Sequence, residues 1–185
     1  MSKRIKIIFI IILLIATKTS LNAQRIALTT NLVEDALVTP NIGVDIVVAD
    51  NQSVTFDASY APYKLSQQFY NKCMTFRAGY KYWFNQALYA HYIGVDAVAN
   101  SSDVKMGKHG GRDEYIALGV GYGYSFIIGK KLNLVPSIGV GLAFGQSYEG
   151  HDHMIEPGKG VQAVATRGVK PVVTRLGLTL QYVLK

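Results

Sequence analysis

The stretch Tyr115-Ile116-Ala117-Leu118-Gly119-Val120-Gly121-Tyr122-Gly123-Tyr124-Ser125-Phe126 decides the fold. Ile116, Leu118, Val120, Tyr122, Tyr124 and Phe126 stand at every second position, with Tyr115, Ala117, three glycines and Ser125 between them. Successive side chains of a strand point to opposite faces, so this is a strand with one apolar face and one face of mostly small residues. Leu132 to Ser147 repeats the pattern: Leu134, Ile138, Val140, Leu142 and Phe144 alternate with Asn133, Ser137, Gly139, Gly141 and Gly145. The Gly-x-Gly-x-Gly run is not a nucleotide loop, which needs Gly-x-Gly-x-x-Gly between a strand and a helix.

Eight segments alternate in this way, at about 25–33, 41–49, 53–61, 73–84, 87–99, 114–127, 132–148 and 171–184. Short connections fall at Ala49–Gln52, Asn85–Gln86 and Gly129–Lys131; longer ones run through Val33–Pro40, Pro62–Lys72, Asn100–Asp113 and Glu149–Lys170. An even strand number with short turns at one end and long loops at the other predicts an all-β, eight-stranded, antiparallel, up-and-down transmembrane barrel. Both termini then lie on the short-turn, periplasmic side. Tyr82, Phe84, Tyr89, Tyr124, Phe126 and Tyr182 gather near the short-turn ends, and Tyr60, Phe76, Phe144 and Tyr148 near the long-loop ends. Two such aromatic girdles suit the two interfaces of a membrane.

A soluble calyx would turn its apolar residues inward around a ligand. The outer face of segments 114–127 and 132–148 would then consist largely of Gly, Ala and Ser, and the two segments contain a single charge, Glu114, at one extreme end. Soluble surfaces carry many charges. The apolar face therefore points outward, toward lipid. Residues 1–23 fit export: a basic start, an apolar run from Ile7 to Ala16, and Leu21-Asn22-Ala23 before the expected cleavage. Residues 24–185 then form the barrel domain. The formal charge of +7 is mostly leader, because Lys3, Arg4, Lys6 and Lys18 are four of the 19 basic residues, and 15 remain against 12 acids. No clustered basic stripe is left, which argues against nucleic acid as a partner.

The same alternation points Asp45, Asp57, Arg77, Lys81, Asp96 and Arg175 into the lumen. Arg or Lys facing lipid near the midplane costs roughly 2–4 kcal/mol, so a lumenal ion-pair network is the favourable arrangement. His151 and His153 flank Asp152 in the last long connection, a spacing that binds a transition metal only if further ligands converge. Cys73 is the only cysteine, and Gly-x-Ser-x-Gly is absent. No motif asks for a cofactor. The expectation is a non-enzymatic barrel with a structural or interaction role through its loops; the alternatives are a lipid-modifying enzyme and a narrow or gated channel.

Thr30-Asn31-Leu32-Val33-Glu34-Asp35-Ala36-Leu37-Val38-Thr39-Pro40-Asn41-Ile42-Gly43-Val44 resembles the opening of a domain-of-unknown-function family of small Bacteroidetes outer-membrane barrels. Tyr82-Trp83-Phe84, His91-Tyr92-Ile93-Gly94, Gly121-Tyr122-Gly123-Tyr124 and Thr174-Arg175-Leu176-Gly177-Leu178 are similar to further stretches of that family. Glu34 departs from it, standing where the family often has Tyr. The resemblance implies a barrel in the outer membrane, and an envelope or fimbria accessory role with an extracellular or fimbrial partner. Arg175-x-Gly177-x-x-Leu180-x-Tyr182 resembles the assembly signal of outer-membrane proteins, which implies the barrel-assembly machinery as a transient partner.

Overall fold

The computed structural model describes residues 25–64, 69–106, 109–151 and 164–184. Eight antiparallel strands pair in chain order and the last closes on the first. They are β1 (Ile26–Asn31), β2 (Asn41–Ala49), β3 (Gln52–Lys64), β4 (Phe69–Trp83), β5 (Ala90–Met106), β6 (His109–Ile127), β7 (Leu132–His151) and β8 (Val164–Val183). A five-residue helix, α1 (Leu32–Ala36), follows β1. The leader read at 1–23 lies outside the described residues.

The alternation resolves into two faces. Ile116, Leu118 and Val120 of β6 are 62%, 61% and 61% exposed, and Ile138, Val140, Leu142 and Phe144 of β7 continue the same outer belt. Ala117, Ala143, Ser125, Asn133 and Ser137 are buried inside. The structure is an apolar-outside, polar-inside tube.

The strands are longer than the apolar periodicity indicates. Pro62–Lys72 and Asn100–Asp113, read as long loops, are mostly ladder: Lys64 pairs with Tyr70 and Met106 with His109. Pairs such as Ser101 with Glu114 and Asp103 with Arg112 continue the hydrogen bonding with polar residues. A hydrophobic pattern therefore cannot mark where these strands end. Of Glu149–Lys170, residues 149–151 and 164–170 are strand, and 152–163 lie outside the described residues.

Wall height varies around the barrel. β1 meets β8 in five register pairs, Ala27 with Val183 through Asn31 with Thr179, whereas β7 follows β8 up to Glu149 with Val164. Where β1 stops, the Asn31 side chain takes over: Nδ2 donates to the Leu176 carbonyl and Oδ1 accepts from the Leu178 amide, both at 3.2 Å. Asn31 also caps α1 by accepting from the Val33 amide, as suits an N-cap residue. The Val33–Pro40 connection thus carries a helix packed against β8.

The β4–β5 turn also departs from the expectation of Asn85–Gln86. It spans 84–89, so β5 begins at Ala90 and not at residue 87. Leu88 and Ala90 take positive φ angles of 70° and 61°. This folds Ala87 and Leu88 into the short-turn mouth, against Trp83, Tyr92, Val47 and Val135. The Leu88 carbonyl accepts from Ser125 Oγ at 2.8 Å and Asn133 Nδ2 at 3.0 Å, while Trp83 Nε1 donates to Ser53 Oγ at 3.0 Å. An apolar plug closes that end.

Inside the tall wall the backbones of β6 and β7 approach across paired glycines, Gly119 with Gly141 and Gly121 with Gly139. A methyl group on Gly141 would collide with the Leu118 carbonyl and the Gly119 Cα, whereas one on Gly168 meets nothing. Gly141→Ala is therefore expected to lower stability in detergent by about 1–3 kcal/mol, the usual range for overpacking. Gly168→Ala should leave the denaturant midpoint unchanged, and equal midpoints for the two variants would contradict this packing.

Candidate functional site

Above the plug the lumen holds a layer of charge. β2 contributes Asp45, β3 Asp57, β4 Arg77 and Lys81, β5 Asp96, and β8 Arg175. The inward parity of each strand carries these side chains to the interior; Asp45, Lys81, Asp96 and Arg175 are buried, and Asp57 and Arg77 nearly so.

They form two groups. In the lower group Lys81 Nζ lies 2.6 Å from Asp45 Oδ2, and Gln181 Nε2 donates to the same oxygen at 2.9 Å. Asn133 Nδ2 holds Gln181 by donating to its Oε1 at 3.2 Å. Lys81 Nζ also sits 5.2 Å from the centre of the Tyr92 ring, a cation–π distance that joins the charge to the plug.

The upper group centres on Arg175. Its Nη2 and Nε donate to the two carboxylate oxygens of Asp96, at 2.8 Å and 3.3 Å, and Nη2 also reaches Asp57 at 3.4 Å. Paired contacts of this fork are among the strongest polar interactions available to a side chain. Arg77 is held less closely. Nε donates to the Thr174 carbonyl at 3.0 Å, but Glu34 lies at 3.4 Å and Asp57 at 4.0 Å.

The position of Arg175 depends on a β-bulge. Gly139 pairs with Arg175 and Val140 with Val173, which leaves Thr174 as the extra residue. Both Thr174 and Arg175 are buried as a result. A bulge inserts one residue and resets which side faces in. Strict alternation through β8 would have excluded one of them.

Two members of the layer are absent from the sequence reading. Glu34 comes from α1, a segment read as loop, so no strand parity applied to it. Gln181 shares the inward parity of Arg175 and Gly177, and a polar residue in the apolar run Leu176–Val183 is a usable signal. Asp45 Oδ1, Thr29 Oγ1 and Thr55 Oγ1 are buried with no hydrogen-bond partner among the described residues. Asp45 and Thr55 face each other in register, as do Thr29 and Gly43. These polar gaps suit bound water, which bridges buried groups of this kind.

The residues that resemble an assembly signal divide. Arg175 and Gly177 are buried in the wall, Leu180 is half-buried and Tyr182 is exposed. Gly177 packs against the Asn31 side chain. His151 ends β7 and His109 begins β6, opposite one another in register, while His153 lies outside the described residues. Among the described residues no group of three or more His, Cys, Asp or Glu side chains is arranged to hold a metal. Cys73 contacts the Thr75 hydroxyl at 3.5 Å and Asn100 Oδ1 at 3.8 Å.

Such a layer can brace strands that are far apart in sequence. Arg175 links β8 to β3 and β5, and Lys81 links β4 to β2. Removing one partner of a buried pair typically costs about 3–5 kcal/mol, because the other charge is left uncompensated. Arg175→Met is thus expected to lower the free energy of unfolding in detergent by an amount in that range. Arg77→Met should cost less than half as much, since its carboxylate contacts are longer. Equal losses would contradict the difference in geometry.

A family model described as a protein of unknown function (DUF3575) matches residues 8–184. No curated protein and no solved structure matches the chain.

Proposed function

From the premise that this chain belongs to the DUF3575 family, we propose that it is an exported outer-membrane barrel, a closed and non-enzymatic scaffold that acts through the segments at its long-loop end. The observation that carries this reading is the outer belt. Ile42, Phe56, Phe76, Ile93, Leu118 and Leu142 all expose large apolar side chains around the tube. Soluble monomers rarely expose a contiguous apolar patch larger than a few hundred Å². In lipid, by contrast, a closed barrel is one of two structures that satisfy every backbone group internally.

The plugged lumen supports a scaffold in preference to a channel. Eight strands leave a space that side chains fill, and aqueous channels appear at about 16 strands. Here Leu88, Trp83 and Tyr92 fill the short-turn mouth and the charge layer fills the middle. The leader read at 1–23 supports export, with cleavage after Ala23 and passage through the barrel-assembly machinery. Interaction then falls to the long-loop end, where β5 to β8 rise above the apolar belt, and where an extracellular or fimbrial protein partner would meet the chain.

Three readouts on the full chain test this together. The protein should fractionate with outer membrane, run differently on gels before and after boiling, and stay electrically silent in planar bilayers. Protease added to intact cells should spare Asn85–Gln86, which lies at the plugged end. Recovery as a soluble periplasmic protein would overturn the membrane reading. Steady ion-selective conductance would replace the scaffold with the channel.

A further inference from the structure

His91 interrupts the outer apolar belt. It lies on β5 two residues after the plugged turn, its side chain exposed, beside the outward residues Tyr122 and Tyr124 of β6. Its Nδ1 is hydrogen-bonded to the Tyr122 hydroxyl, and the Tyr124 ring meets it edge-on with centroids 4.5 Å apart. A neutral imidazole and a phenol carry one N–H and one O–H between them. Their mutual bond uses one of these donors. Whichever tautomer forms, the pair keeps one donor for a third group, and no such group is found among the described residues.

An apolar groove starts beside this pair and runs across the outer face. It has a volume of about 570 Å³, its floor is the backbone at Gly94, Gly121 and Gly139, and Tyr82, Tyr122 and Ile138 stand in its walls. One end of the groove is therefore a donor pair ringed by tyrosines, and the rest is hydrocarbon-like. Tyrosines of this kind collect where a membrane changes from acyl chains to headgroups.

We propose that His91, Tyr122 and the adjoining groove form a binding site for one phospholipid of the short-turn-side leaflet. The phosphodiester accepts the remaining hydrogen of the His–Tyr pair, and one acyl chain lies along the groove. The proposal rests on the membrane reading above. A phosphate oxygen is the favoured acceptor at headgroup depth, because a charged acceptor makes the stronger hydrogen bond.

The full chain, refolded into nanodiscs of mixed phosphatidylethanolamine and phosphatidylglycerol and then extracted in mild detergent, is examined by native mass spectrometry. Wild type should retain one phospholipid per chain. The double variant His91→Phe/Tyr122→Phe, which removes both donors, should lower that retained fraction about tenfold, whereas Ile42→Leu, on the outer face of β2 and outside the groove, should change it less than twofold. Nanodiscs of a phosphate-free galactosyl diacylglycerol should give no retained lipid. The boiled and unboiled gel shift of every variant reports insertion separately, so a chain that never enters the bilayer is distinguished from one that inserts without a lipid site. Equal retention by wild type and the double variant, or equal retention of the galactolipid, would overturn the site.

Discussion

The whole structure depends on one inversion: apolar side chains lie outside the tube and charges lie inside it. The consequence is geometric. A lumen bounded by eight strands has room for side chains and little else. Tyr92 and Arg175 fit because β6 and β7 present Gly123 and Gly139 beside them on the inner face, and Lys81 passes over Gly94 of β5 in the same way. The glycine pairs opposite Arg175 and the ion pairs themselves are thus two halves of one packing solution, large charged groups from one wall and no side chains from the other.

Much of that was legible in the sequence because a strand has a period of two. Once Ile116 to Phe126 is assigned outward, Asp45, Asp57, Arg77, Lys81 and Asp96 follow from the parity of their own strands. Parity also places Trp83 and Tyr92 inside, although their size and apolar character suit the outer girdle. They lie inside because the turn folds back and gives them Leu88 and Ser53 as partners.

The remainder was hidden for definite reasons. The bulge at Thr174 breaks the parity it would have to be inferred from, so Thr174 and Arg175 cannot both be read as inward. The polar ends of β5 and β6 pair through backbone groups, which hydrophobic periodicity does not register. Glu34 enters the lumen from a helix that exists because β1 ends at Asn31, and Asn31 both caps that helix and continues the ladder to β8. This side of the wall is closed by one side chain and a five-residue helix, and the Glu34–Arg77 contact ties that helix to the charge layer.

The most direct test of the inversion uses fluorescence against lipids brominated on their acyl chains. Trp83 is the only tryptophan and is fully buried. In reconstituted wild-type protein its emission should persist when brominated lipid replaces ordinary lipid. In a Leu118→Trp variant carrying Trp83→Phe, the same exchange should quench most of the emission, because position 118 stands in the outer belt. Strong quenching of Trp83 together with a protected Trp at position 118 would contradict the account.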